Sequence, residues 1–191
     1  MSKIKETFKG GDALIIVDVQ KDFCPGGALP IEEGDKVVPV LNRWIGEAIK
    51  WSIPIYASRD WHPAGHYSFE ESGGPWPPHC VQDSDGARFH PDLRLPDSVI
   101  KVTKGVRFDK DQNSAFDETG LADELRRRDI KRLVIGGLAE DVCVLATVLD
   151  GRKEGFDVIV ISDATRPVTP DGGEKARKKM KRMGVRFVLT D

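Results

Sequence analysis

Asp60 and His62 stand two residues apart in Arg59-Asp60-Trp61-His62-Pro63, and His79 follows in Pro75-Trp76-Pro77-Pro78-His79-Cys80. The chain has four histidines, and three of them, His62, His66 and His79, fall between Arg59 and Cys80, a stretch rich in proline and tryptophan. Carboxylate oxygen and imidazole nitrogen are ligand types that zinc and other divalent ions prefer. In an extended segment, side chains two apart share a face. Asp60 and His62 can then reach one ion while Trp61 points the other way. Three protein ligands would leave coordination positions open, as a catalytic or substrate-binding metal requires. The alternative is a set of polar loop residues that bind nothing. His66 and His90 read as ordinary surface histidines. Ser68 is placed to add a fourth, water-mediated contact.

A second group of reactive types lies elsewhere. Asp18 closes the apolar run Ala13-Leu14-Ile15-Ile16-Val17, where a carboxylate is out of character unless it caps, pairs locally or does chemistry. Gln20, Asp22 and Phe23 add polar and aromatic groups beside it. Cys143 lies in Gly136-Gly137-Leu138-Ala139-Glu140-Asp141-Val142-Cys143-Val144. The glycines permit a tight turn, and a helix beginning near Asp141 would put Cys143 in its first turn. There the positive end of the helix favours thiolate, and free backbone N–H groups can hold a developing oxyanion. The competing reading is a small core residue, since free cysteine is commonly buried. Lys104, after Val102-Thr103, could hold Asp18 charged and stabilise the thiolate. Most lysines are solvated, and Lys101 competes, but Lys101 sits inside a strand pattern. Cys24 and Cys80 have no matched partner and read as packing residues.

The elements that must position these groups alternate. Ala13 to Val17 is an apolar run suited to a strand buried on both faces. Apolar residues at helical spacing predict an amphipathic helix from Lys36 to Trp51. Further strands are expected at Pro54 to Ser58, Val99 to Val102, Leu133 to Ile135, Val158 to Ile161 and Val185 to Leu189. Helices are expected around Leu121 to Leu125, from Asp141 through Leu149, and from Glu174 to Met183. Strands spaced by helices imply an α/β fold: a parallel sheet covered by helices on both faces, with ligands outside the carboxyl ends of the strands. The stretch from Arg59 to Pro96 is too long for an ordinary connection and falls where a site would be built.

Composition narrows the classes. A length of 191 residues fits one domain over 1–191 with a sizeable core. The net charge of −2, with both signs mixed along the chain, offers no footprint for nucleic acid. No run approaches a membrane span, and no apolar signal core opens the chain, so a cytoplasmic location is expected. Three cysteines argue against a closed disulfide framework and fit a reducing compartment.

Together these residues resemble the nicotinamidase/pyrazinamidase branch of the isochorismatase-like cysteine hydrolase superfamily. The motifs are Val17-Asp18-Val19-Gln20-Lys21-Asp22-Phe23, Pro25-Gly26-Gly27-Ala28-Leu29, Arg59 to Pro63, Gly73 to Cys80 and the Gly136 to Val144 turn. The resemblance implies Asp18, Lys104 and Cys143 as catalytic residues and Asp60, His62 and His79 as metal ligands. It implies an oxyanion hole made by the N–H groups of Ala139 and Cys143, with a cis bond between Leu138 and Ala139. Phe23 and Trp76 would flank the substrate ring. The implied three-layer fold has a six-stranded parallel sheet of order 3-2-1-4-5-6, with Lys104 reaching in from a loop after the edge strand. Glu140 and Val142 depart from the family pattern, which often has a small hydroxyl residue and Tyr there, and Val142 would make the pocket roomier. The implied activity is hydrolysis of nicotinamide, and of pyrazinamide, in NAD salvage. It would use one divalent ion, zinc first and manganese or iron as alternatives. A homo-oligomer is a family expectation. Another small-amide cysteine hydrolase, or a metal-binding redox module without turnover, are the competing readings.

Overall fold

The computed structural model describes residues 4–191, apart from the side chains of residues 5 and 6. A short helix α1 (Ile4–Thr7) leads into β1 (Asp12–Val17), then α2 (Val37–Lys50), β2 (Ile55–Asp60) and β3 (Ile100–Lys104). The second half runs α3 (Leu121–Arg127), β4 (Arg132–Leu138), a turn of π-helix at Glu140–Val144, α4 (Leu145–Lys153), β5 (Asp157–Arg166), α5 (Pro170–Arg182) and β6 (Arg186–Val188). All strand pairs are parallel and the order is β3-β2-β1-β4-β5-β6, as the resemblance implied. No helix among the described residues is long and apolar enough to cross a membrane.

Side-chain alternation along the strands divides the core into two layers. Leu14 and Ile16 pack with Leu41, Trp44 and Ile45 of α2, and with Ile4 of α1. Ala13, Ile15 and Val17 face the other way, onto Leu125 of α3, Val148 of α4 and Met180 of α5. Because β1 is apolar on both faces, hydrophobic pattern alone does not select its register. A buried ion pair supplies the difference. Asp12 and Arg132 are register partners, and the guanidinium grips both carboxylate oxygens at 2.5 and 2.8 Å. That pairing sets Val17 level with Gly137, where β1 and β4 hand over to the site.

Four elements differ from expectation. β3 continues through Lys104, so a strand rather than a loop carries that residue. β5 runs on to Arg166, past a register irregularity opposite Ile135–Gly137. α5 starts at Pro170, four residues before the charged run, because the Thr169 hydroxyl caps it by accepting the Gly172 N–H. α1 was not expected from the sequence at all. The long segment between β2 and β3 is built of turns and isolated bridges, including His62 with Val81 and Phe69 with Trp76.

Candidate active site

β1 and β4 are neighbours whose chains depart to opposite faces of the sheet, and this opens a crevice at their carboxyl ends. Asp18 follows β1 at φ 49°, a left-handed conformation that Asp tolerates better than most residues. Its Oδ1 accepts a hydrogen bond from Ser58 Oγ at 2.7 Å. Its Oδ2 lies 2.8 Å from Lys104 Nζ, an ion-pair distance without an aligned hydrogen bond, so a lone pair stays available. Lys104 comes from β3, two strands from β1, and adjacent strands are about 4.8 Å apart, so only a long side chain spans the gap. It is wholly buried, and its ammonium also meets Asp60 Oδ1 at 2.5 Å and Cys143 Sγ at 3.6 Å. Burial opposes that charge, but Asp18, Asp60 and Cys143 outweigh it and hold the Lys104 pKa well above its usual value.

The Cys143 turn grows out of β4. Gly137, at φ 130°, passes so close to β1 that a Cβ there would sit 2.1 Å from the Val17 carbonyl oxygen. The Leu138–Ala139 peptide bond is cis, as the resemblance implied. Cys143 is 6 % exposed, and its sulfur lies within 4.8 Å of carboxylate oxygens of both Asp18 and Asp60. Position in the first turn led to an expectation of thiolate. The burial observed here does the opposite: it pushes the thiol pKa well up, and Lys104 only partly counters it. The resting sulfur is therefore a thiol that needs a base. Burial also raises the Asp18 pKa, against the pull of Lys104, which makes its carboxylate the stronger proton acceptor.

Asp60, His62 and His79 place ligand atoms within 4.8 Å of one another. His62 Nδ1 faces the His79 carbonyl at 3.2 Å, and His79 Nδ1 faces the Pro77 carbonyl at 2.8 Å. With those nitrogens donating, both Nε2 atoms are left bare, the arrangement of metal-binding imidazoles. His62 Nε2 is enclosed and has no hydrogen-bond partner among the described residues. Gly105 makes its room, since a Cβ there would sit 2.8 Å from that nitrogen. Lys104 engages only Oδ1 of Asp60. Burial lowers the His79 pKa, favouring the neutral, ligating form. Burial also pushes the His62 pKa down, but Asp111 and Asp60 overcome it, a measure of the negative field that a cation would meet. These residues fit a divalent cation.

Gln20 fixes Asp60 from behind. Its side-chain oxygen accepts the Asp60 N–H, and its nitrogen donates to the Asp60 and Ala87 carbonyls, each at 2.8 Å. Asp22 accepts N–H groups from Cys80 at 2.7 Å and Ala28 at 3.1 Å, tying the His79 segment to the loop after Phe23.

His66 corrects the surface reading. It is 1 % exposed, its ring centroid is 4.4 Å from that of His62, and its Nε2 has no hydrogen-bond partner among the described residues. Its spacing of four from His62 was the available signal. Ser68 Oγ is engaged with His66 Nδ1 at 2.8 Å. Asp111, which the sequence did not single out, brings Oδ1 to 3.8 Å from His62 Nε2, and with His62 and His66 it forms a second possible ligand group. His90 is half-buried and accepts the Asp92 N–H at 3.2 Å.

Phe23 and Trp76 line the cleft that Asp60, His62, His79, Ala139 and Cys143 share, joined by Val142 and by Asn113, also missed in the sequence. The Phe23 ring is 5.5 Å from that of His79. Glu140, itself buried, is ion-paired with the half-exposed Arg177 at 2.6 Å. Cys24 and Cys80 are buried among apolar residues and outside the cleft.

The isochorismatase domain model matches residues 12–191. The chain is 41 % identical over 177 residues to the nicotinamidase of Escherichia coli, covering 82 % of this chain and 83 % of that one. Among solved structures it is similar to the pyrazinamidase of Pyrococcus horikoshii in complex with zinc, at 45 % identity, TM-score 0.91, and coverage of 94 % and 99 %. An L. infantum protein solved in complex with nicotinate aligns at 37 % identity, TM-score 0.87, and coverage of 93 % and 92 %.

Proposed function

The chain belongs to the isochorismatase family, and from that premise we infer that it is a nicotinamidase, an amidohydrolase that converts nicotinamide to nicotinate and ammonia. The observation that carries the reading is one cleft lined by both Cys143 and the Asp60, His62 and His79 group, with Asp18 and Lys104 buried beside the sulfur and Lys104 touching both groups.

Our proposal for the roles follows from the geometry. Phe23 and Trp76 enclose the substrate ring. Asp18 takes the proton from Cys143 Sγ, and the sulfur attacks the carboxamide carbon. The N–H groups of Ala139 and Cys143 receive the charge that develops on the oxygen, and a preorganised donor of this kind supplies about 3 kcal/mol. Asp18 returns the proton to the departing nitrogen, which leaves as ammonia. It then accepts a proton from the water that cleaves the thioester, and passes it to the expelled Cys143 sulfur as the nicotinate product leaves, which restores the thiol and the carboxylate. Throughout, Lys104 offsets the two buried carboxylates.

Asp60, His62 and His79 would hold the metal, with His66 and Asp111 within reach. When bound, the ion supplies a Lewis-acid site for the pyridine nitrogen. Zinc is our reading, supported by the donor set and by the zinc complex of the Pyrococcus relative, though manganese and iron suit the same donors. The closing experiment measures ammonia release from nicotinamide and pyrazinamide by chelated and zinc-restored protein, beside Cys143→Ala. Turnover should require both metal and Cys143. Comparable turnover by Cys143→Ala, or an aliphatic amide preferred over both heteroaromatic ones, would overturn it.

A further inference from the structure

We propose that Asn113 binds the carboxamide nitrogen of the substrate and sets the preference of this site for amides over esters, an inference that rests on the amidase reading above. Asn113 lines the cleft beside Cys143, its Oδ1 3.9 Å from Sγ. The sulfur is the hydrogen-bond partner its side chain has among the described residues. A half-buried amide with one long contact to sulfur has unused capacity, two N–H donors and oxygen lone pairs. Those groups border the cleft and are open to a polar ligand that takes the place of water there.

The neighbours of Asn113 are committed elsewhere, which holds it in place. Gln112 accepts the Val106 N–H at 3.2 Å and donates to the Asp117 carbonyl at 2.7 Å. Ser114 Oγ accepts the Phe116 N–H at 3.1 Å, and the Ala115 N–H donates to Thr147 Oγ1 of α4 at 3.0 Å. The helix that follows the Cys143 turn thereby anchors the strand of chain bearing Asn113. Asp111, two residues earlier, faces His62, and Asn113 faces the thiol.

The chemistry at Sγ leaves one role unfilled. A carboxamide carbon attacked by sulfur presents an oxygen, which requires donors, and an –NH2, which requires an acceptor. Lys104 only donates, and Asp18 has to move the proton. Asn113 Oδ1 is a neutral acceptor that holds –NH2 without removing its hydrogen. An ester oxygen in the same position brings no hydrogen and meets that oxygen lone pair to lone pair.

The test is the ratio of kcat/KM for nicotinamide to that for methyl nicotinate, since both deliver the same acyl group to Cys143. Wild-type ammonia release checks the amidase reading independently of Asn113. Asn113→Leu, with the same number of side-chain heavy atoms but no polar ones, should lower the amide-to-ester ratio roughly tenfold, the effect of one lost hydrogen bond. Asn113→Asp keeps acceptor oxygens in place and should retain the wild-type ratio, even where its charge slows both reactions. Asn113→Ala serves as a second apolar variant if Asn113→Leu does not fold. A parallel fall on both substrates in the apolar variants, an unchanged ratio, or a ratio equally reduced in Asn113→Asp overturns the proposal.

Discussion

The ammonium of Lys104 lies 2.5 Å from Asp60 Oδ1, so the lysine beside the nucleophile is bonded to a residue of the ligand group. The same nitrogen is 2.8 Å from Asp18 and 3.6 Å from Cys143. One buried cation thus serves both ends of the cleft, and its removal has consequences at both.

Lys104→Met should lose turnover and metal together. It strands the carboxylates of Asp18 and Asp60 in the interior, and removing one partner of a buried ion pair costs about 3–5 kcal/mol. Urea unfolding and metal content by mass spectrometry would show it. A variant with wild-type stability and full metal content would mean that Lys104 belongs to the thiol alone.

The protonation state of Cys143 gives a pH prediction. Burial raises its pKa, so the sulfur is protonated at neutral pH and thiolate forms only as pH climbs past the ordinary thiol range. The thiolate absorbance difference between wild type and Cys143→Ala should be absent near neutrality and grow at alkaline pH. In Lys104→Met the rise should move to still higher pH, because the favourable charge is gone. A thiolate signal already complete at neutral pH would show that the turn and Lys104 prevail over burial.

Gln20→Ala should weaken metal binding by roughly 10–100-fold, the usual cost of losing a group that orients a ligand. The side-chain hydrogen bonds of Gln20 go to backbone atoms of Asp60 and Ala87, so alkylation of Cys143 should proceed as in the wild type. Titration with zinc and a fluorescent chelator measures the first effect. Unaltered zinc affinity would remove Gln20 from the ligand-positioning shell.

The Asp12–Arg132 pair should govern strand register. Asp12→Ala leaves the guanidinium buried without its partner and should cost about 3–5 kcal/mol, whereas Asp12→Leu combined with Arg132→Met should recover most of that stability. If register depends on the pair, the double variant recovers stability but loses nicotinamide turnover, since Val17 and Gly137, from which the chain runs on to Asp18 and to the Cys143 turn, are no longer held level. Full turnover by the double variant would assign the register to packing instead.

Much of this molecule is legible in one dimension because its signals are local. The apolar run before Asp18 marks a strand buried on both faces, and the alternation of strands with helical stripes marks a parallel sheet. Asp60 and His62 announce themselves because a spacing of two in extended chain is already a shared face. Thr169-Pro170 is an equally local signal for the start of α5, a capping hydroxyl followed by proline in the first turn.

What resisted the sequence depends on groups far apart in the chain. Lys104 looks like any lysine until β3 lies two strands from β1 and its stem is seen to cross β2. His66 looks like a surface histidine until the Phe69–Trp76 bridge folds its loop over His62. Asp111 and Asn113 carry no motif, and their place at the cleft comes from a connection fastened to α4. The ionisation of Cys143 also turns on the fold, because helix position is read from neighbours in sequence whereas burial, which raises the thiol pKa, is a sum over the whole fold. The metal ligand types and the nucleophile were thus set out by the residues themselves. Their joint placement in one cleft, tied by Lys104 and Asp60, was decided by strand order and register, which only long-range pairing supplies.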